Sequence, residues 1–214
     1  MTALSVDDAA AVRELSRLIT VMHTLRAQCP WDAEQTHLSL ATYLIEETAE
    51  VVEAVEAGSD EQMLEEFGDL LLQIFFHAEI ASERGAFTLA QIAQAVADKL
   101  IARHPHIYAD QALPADLWGA WEKRKRAEKQ RQSALDGIPE PLSALTRANK
   151  VVNRIRTHEV GVDLPTTPIT AQETGQALLA IVARAQAHQI DPEQALRGAV
   201  RELEVIARRA EKAD

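Results

Sequence analysis

Apolar residues recur along this chain at helical spacing, and no segment alternates with the period of two that a half-buried strand requires. Leu15, Leu18, Ile19, Met22 and Leu25 make one stripe, which predicts a helix over 4–28. Cys29-Pro30-Trp31-Asp32 ends it, because a proline disfavours helix in the residue before it. A second helix is expected over 37–57, stopped by Gly58, with Leu40, Tyr43, Glu47, Glu50 and Ala54 on one face and Tyr43 in the core. Ser59 and Gln62 have capping-box spacing and open a third helix that runs to Arg84 and stops at Gly85. Its buried stripe is expected to be Met63, Phe67, Leu70 and Ile74. Thr88 and Gln91 repeat the capping pattern before a fourth helix that ends near Arg103.

His104-Pro105-His106 reads as a turn, and 116–132 as a strongly basic helix. Asp136-Gly137-Ile138-Pro139 is the clearest break in the chain. Beyond it, helices are expected over 142–157, over 170–189, and after Asp191-Pro192, a cap followed by proline at the first helical position. The expected fold class is all-α: a four-helix bundle core followed by a helical C-terminal appendage.

Charge narrows the function. With 33 acidic against 22 basic residues, the formal net charge is -11, which disfavours a nucleic acid polymer as partner. A small phosphorylated ligand remains compatible when a metal mediates the contact. The single cysteine, Cys29, forms no intramolecular disulfide and fits a reducing compartment. Asp7 and Asp8 stand where a signal peptide carries base, and the apolar runs are too short to span a bilayer. The expectation is a cytoplasmic protein with no membrane partner.

Candidate chemistry lies in Glu46-Glu47-Thr48-Ala49-Glu50 and Glu66-Phe67-Gly68-Asp69. Glu47 and Glu50 are i,i+3 neighbours on one helix, as are Glu66 and Asp69 on the next, so each pair points one way. The short connection through Gly58 makes the two helices antiparallel neighbours and brings four carboxylates around one space. Four converging carboxylates repel, and hard divalent cations relieve that repulsion; an all-oxygen set suits Mg²⁺ or Mn²⁺. A di-iron bundle would require Glu-x-x-His pairs, and neither pair contains His. The plain alternative is two acidic helices with solvated glutamates.

Taken in order, these segments resemble the MazG family of all-α nucleotide pyrophosphohydrolases. The matching positions are Cys29 to Asp32, Gln35-Thr36, Glu46 to Glu50, Glu66 to Asp69, Arg103 to His106, Trp121-Glu122 with Lys125, and Ser133 to Pro139. The resemblance implies hydrolysis of a nucleoside triphosphate to monophosphate and pyrophosphate, with metal ligands at Glu47, Glu50, Glu66 and Asp69. Glu46 is then the spare carboxylate nearest to them, available to orient or deprotonate water. Lys99, Arg103, Trp121 and Lys125 match positions the family uses for nucleotide contact. Lys99 and Arg103 also read as a solvated pair, and Trp121 as a core anchor. Trp31, Asp32, Gln35 and His37 offer a ring, a carboxylate, an amide and an imidazole for a base. The same four also read as core packing, a cap on the second helix and a structural histidine.

Long members of the family carry two tandem domains, and the C-terminal part resembles a degenerate second copy. Glu173-Thr174-Gly175-Gln176-Ala177-Leu178-Leu179 echoes Glu66 to Leu72, but the aspartate has become Gln176 and no Glu-Glu-x-x-Glu helix precedes it. The position matching Lys99 falls on Glu202. The expected organisation is a catalytic domain over 1–132 and a non-catalytic helical segment over 133–214. Relatives associate as dimers, so a homodimer is expected. Three functions stand at this point: a house-cleaning or regulatory pyrophosphohydrolase, a narrow dUTP, dCTP or phosphoribosyl-ATP pyrophosphatase, and a non-catalytic helical dimerisation or binding module.

Overall fold

The structure is a computed structural model that describes residues 5–109, 111–128 and 132–212, excluding the side chains of Trp118, Glu122, Lys123, Arg126 and Ala127. Among the described residues there are ten helices and no strand. They are α1 (Val6–Gln28), α2 (Pro30–Glu34), α3 (Ala41–Ala57), α4 (Asp60–Glu83), α5 (Leu89–Arg103), α6 (Pro105–Tyr108), α7 (Leu117–Glu128), α8 (Ala144–Thr157), α9 (Ala171–Ala187) and α10 (Pro192–Ala210). The chain forms two compact units, Met1–Ala102 and Arg103–Asp214.

In the first unit, Met22 of α1, Leu40 and the α4 residues Phe75, Phe76 and Ile80 form a buried cluster. Helix ends follow local chemistry. Gly58 closes α3 at φ 71°, a left-handed position that costs glycine no Cβ clash. The Ser59 hydroxyl then accepts from the Gln62 backbone N–H at 3.3 Å and opens α4. Thr88 and Gln91 make the reciprocal bonds of a capping box at the start of α5.

Several expectations are corrected. The break at Cys29-Pro30 stands, with α1 ending at Gln28, but Pro30 also opens a one-turn helix, and Pro105 opens another in place of the expected turn, because a proline at the first helical position lacks only an N–H that would be unpaired anyway. Residues 37–40 form a turn and α3 starts at Ala41. There Thr36 and Ser39 exchange side-chain bonds with each other's backbone N–H, at 2.9 and 3.1 Å, in the capping-box pattern, one turn ahead of α3. The stripe expected to be buried on α4 is partly open: Phe67 is 51% exposed and Ile74 41%. The face that packs instead carries Gln73, Phe75, Phe76, Ala78, Ile80 and Ala81. This helix is apolar on more than one side, and periodicity alone does not select which side meets α1. Tyr43 is likewise exposed rather than core. Of the basic helix expected over 116–132, α7 covers Leu117–Glu128, and residues 129–131 lie outside the described residues.

The Arg26 side chain is buried and pins the segment after α1. It donates to both carboxylate oxygens of Glu83, at 2.7 and 2.5 Å, and to the carbonyls of Asp32 and Gln35. The position of α2, and of the loop that carries the candidate base-contacting residues, follows from that clamp.

The second unit is built on α8 and α10, whose core includes Val151, Ile155, Val200 and Ala207. The stretch around the break expected at 136–139 is folded into this core: Ala134, Leu135 and Ile138 are buried. Arg154, itself buried, donates to the Ala134 carbonyl at 2.7 Å, and Glu211 accepts from the Ala134 N–H at 2.6 Å. Helix α9 contributes no buried residue. No helix among the described residues is long and apolar enough to cross a membrane.

Candidate functional site

The reversal at Gly58-Ser59 lays α4 back along α3, and i,i+3 spacing on each turns carboxylates toward one space. Glu47, Glu66 and Asp69 each offer a carboxylate oxygen within 4.8 Å of the others. Glu47 and Glu66 are half-buried. Burial, followed by the charges of Asp69, Glu50, Glu46 and Glu66, pushes the Glu47 carboxyl above its ordinary range. Burial, followed by Glu50, Glu65, Asp69 and Glu53, does the same to Glu66.

Of the four expected ligands, three are therefore gathered, and Glu50 sits to one side. It lines an open hollow of about 180 Å³ with Glu53, Ala54, Gln62 and Glu66. Glu46 is exposed. Sequence reasoning passed over Glu53 and Glu65, although Glu53 continues the i+3 row begun by Glu47 and Glu50. The donor set is all oxygen, and the neighbouring carboxylates raise the proton affinity of Glu47 and Glu66. That fits a hard divalent cation, whose charge favours the ionised form of every member.

The four candidate base contacts fare differently. Trp31 is 52% exposed and meets the rings of Tyr43 and Phe76 edge-on, at 6.2 and 6.3 Å. Asp32 is buried in α2 and does not cap the second helix, where Leu40 occupies the cap position without a side-chain bond. The Gln35 amide is occupied within the protein: Nε2 donates to the Trp31 carbonyl at 2.9 Å, and Oε1 accepts from the Ser39 hydroxyl at 2.7 Å.

His37 pairs with His77 of α4, a partner that the sequence does not signal. Their Nδ1 atoms are 2.8 Å apart, with ring planes at 9° and centroids 5.1 Å apart. Those distances require rings meeting edge to edge in one plane, not stacked faces. One Nδ1 donates and the other accepts. Burial, then His37, keeps the His77 imidazole below its ordinary pKa and so neutral. Its Nε2, and the Oε1 of Gln73 one turn earlier, are buried without a protein partner. Leaving such a group unmet costs about 1–3 kcal/mol.

Lys99 is half-buried on α5. In the second unit, buried Arg103 donates through Nε and Nη2 to Glu128, at 2.9 and 2.7 Å. Its guanidinium also lies 5.2 Å from the Trp121 ring centroid. His104 meets the same ring at 5.0 Å. With His106, Leu117 and Arg124 these residues line a hollow of about 350 Å³. Lys125 is half-buried on α7, one turn after Trp121. Arg103 is thus not the solvated cation that the sequence also allows. Its carboxylate partner is 25 residues away in sequence, with no periodic signal to connect them.

Residues 35–108 match the MazG nucleotide pyrophosphohydrolase domain. A nucleoside triphosphate pyrophosphohydrolase of Escherichia coli K12 is 41% identical over 163 residues, which is 72% of this chain and 61% of that protein. The chain therefore spans about three-fifths of that relative's length. The nucleoside triphosphate pyrophosphohydrolase/pyrophosphatase MazG of Thermotoga maritima is 37% identical over 210 residues, covering 87% of this chain and 81% of that protein. A nucleoside triphosphate pyrophosphohydrolase of Mycobacterium tuberculosis is 40% identical over 154 residues, 71% of this chain and 47% of its own. Among solved structures, a mazG-related protein from Thermotoga maritima superimposes on 52% of this chain and 98% of its own, at 26% identity and a TM-score of 0.46.

Proposed function

Because the chain belongs to the MazG family, we propose that it hydrolyses nucleoside triphosphates to monophosphate and pyrophosphate, in a house-cleaning or regulatory role. The observation that carries this reading is the Glu47, Glu66 and Asp69 cluster with Glu50 beside it. Those four residues would hold Mg²⁺, with Mn²⁺ as a substitute. When bound, the cation supplies neutralisation of phosphate oxygens and a more acidic water. The chain's own contribution is to fix the triphosphate against α3 and α4. Exposed Glu46, outside the trio, takes the proton of the water that attacks the α-phosphorus in line with the leaving pyrophosphate. Lys99, Arg103, Trp121 and Lys125 are read as nucleotide contacts, as are Trp31, Asp32, Gln35 and His37.

The catalytic domain in this reading is 1–132, and 133–214 carries no chemistry. Glu173, the residue that echoes Glu66, accepts from the Thr170 backbone N–H and hydroxyl at 2.8 and 2.7 Å, as the cap of α9. Gln176 and Glu202 are exposed. The protein is read as a homodimer, which would cover apolar side chains left open on α3 and α4: Ile45, Val52, Leu64 and Phe67 are each at least half exposed. A cytoplasmic location suits a free Cys29 and a nucleotide substrate.

The test is incubation of the purified protein with ribo- and deoxynucleoside triphosphates, with and without Mg²⁺, and chromatographic identification of products. Monophosphate with pyrophosphate, dependent on the metal and lost in Glu50→Gln, is the expected result. Diphosphate with orthophosphate would refute the bond assignment. No turnover by folded, Mg²⁺-treated protein would favour a binding module.

A further inference from the structure

The row that leads away from the carboxylates along α4 is polar where the helix is most enclosed. Asp69, Gln73 and His77 recur every four residues, so they share a face, each about 6 Å further along the axis. Gln73 is 5% exposed, and its Oε1 meets no protein donor. His77 Nε2 is equally enclosed and unpartnered. Native folds rarely leave such atoms unmet, and each one that remains calls for a water, an ion or a ligand group.

Their chemistry says what that is. An amide and an uncharged imidazole carry no net charge for a phosphate. They match neutral donor and acceptor groups such as base edges and sugar hydroxyls. The His37–His77 bond adds adaptability. If His77 Nδ1 accepts the shared proton, its Nε2 is an N–H donor; if Nδ1 donates, Nε2 is an acceptor. Trp31, held edge-on against Phe76 beside His77 in sequence, leaves half its surface open for a flat ring.

We propose that Gln73 and His77, with His37 setting the His77 tautomer, read the neutral hydrogen-bonding edge of the substrate's nucleoside, one and two turns beyond the carboxylates that serve its phosphates. The inference rests on the hydrolase reading above and assigns that site its discriminating residues. A site built to bond a polar edge rejects analogues that lack it, because its buried groups are then left unpaired.

The experiment compares wild type with Gln73→Met and His77→Leu, which remove the polar atoms while keeping bulk. kcat/KM is measured for the common ribo- and deoxynucleoside triphosphates with Mg²⁺. Calorimetry measures affinity for α,β-imido analogues, which are not cleaved. The proposal expects the wild-type preference between best and worst nucleotide to shrink by about tenfold or more in each variant, with matching changes in affinity. Ratios that shift among bases identify a base edge; ratios that shift between ribose and deoxyribose identify the sugar hydroxyl; either supports the proposal. Uniform loss for every nucleotide, or unchanged ratios with only a shifted melting temperature, would overturn it and leave Gln73 and His77 as a structural water site. If wild type cleaves no triphosphate, the hydrolase reading fails, and the analogue affinities still decide the inference. If His77→Leu does not fold, the Gln73→Met ratios alone support or overturn the proposal.

Discussion

Arg26 and Glu83 close the first unit through two hydrogen bonds on one guanidinium, and the same guanidinium holds the carbonyls of Asp32 and Gln35. One side chain therefore joins α1, the end of α4 and α2, the short helix that carries Trp31. Lysine keeps the charge but lacks the planar fork. Arg26→Lys is expected to lower stability by roughly 1–3 kcal/mol, since Glu83 is partly solvated and the carbonyls lose a donor. Urea denaturation measures this, and the destabilisation should exceed that of Glu83→Gln.

The pH dependence follows from the same pair and from Asp136. The Arg26 hydrogen bond holds the Glu83 carboxyl below its ordinary range, and the Ser133 backbone N–H, with Arg208, does so for Asp136. A depressed carboxylate adds stability above its unfolded pKa of about 4 and loses it as pH falls through the folded value. Thermal melting between neutral and acid pH should show an acid limb. That limb should become shallower in Glu83→Gln and Asp136→Asn; an unchanged limb would remove these two groups from its cause.

What is legible in the sequence is what a local signal carries. Gly58, Ser59, Thr88 with Gln91, and Asp191 each set a helix end through bonds within four residues, and each stands where the sequence places it. The all-α class follows from periodicity. The packed face of α4 does not, because Phe67 and Ile74 are as apolar as Phe75 and Phe76, and only the partner helices decide which are covered. The carboxylate cluster is legible because two i,i+3 pairs sit on consecutive antiparallel helices. His77 against His37 and Glu128 against Arg103 are not, because their sequence separations carry no pattern.

The carboxylates set a metal prediction. Wild type should be stabilised by Mg²⁺, by about 2.7 kcal/mol at a hundredfold excess over the dissociation constant. Glu47→Gln removes a crowded charge and should melt no lower than wild type without metal, while losing most of that Mg²⁺ shift. Melting curves with and without Mg²⁺ check both halves.

Exposed apolar residues on α4 set an assembly prediction. Leu64 is 77% exposed and Phe67 51%. Leu64→Glu with Phe67→Glu should convert a dimer to a monomer in sedimentation equilibrium, with helical content retained. A wild-type monomer would contradict the dimer reading.

In the second unit, Ile155 is buried among the α8 and α10 side chains. Ile155→Ala should cost about 2–5 kcal/mol through lost burial and the cavity left behind. Denaturation followed by circular dichroism measures it.

The central claim is hydrolysis at the α-phosphorus, and heavy-oxygen water tests it most directly. After one turnover in labelled water, mass spectrometry locates the label. The account predicts it in the nucleoside monophosphate, with unlabelled pyrophosphate. Label in the pyrophosphate would place the attack at the β-phosphorus and contradict the account.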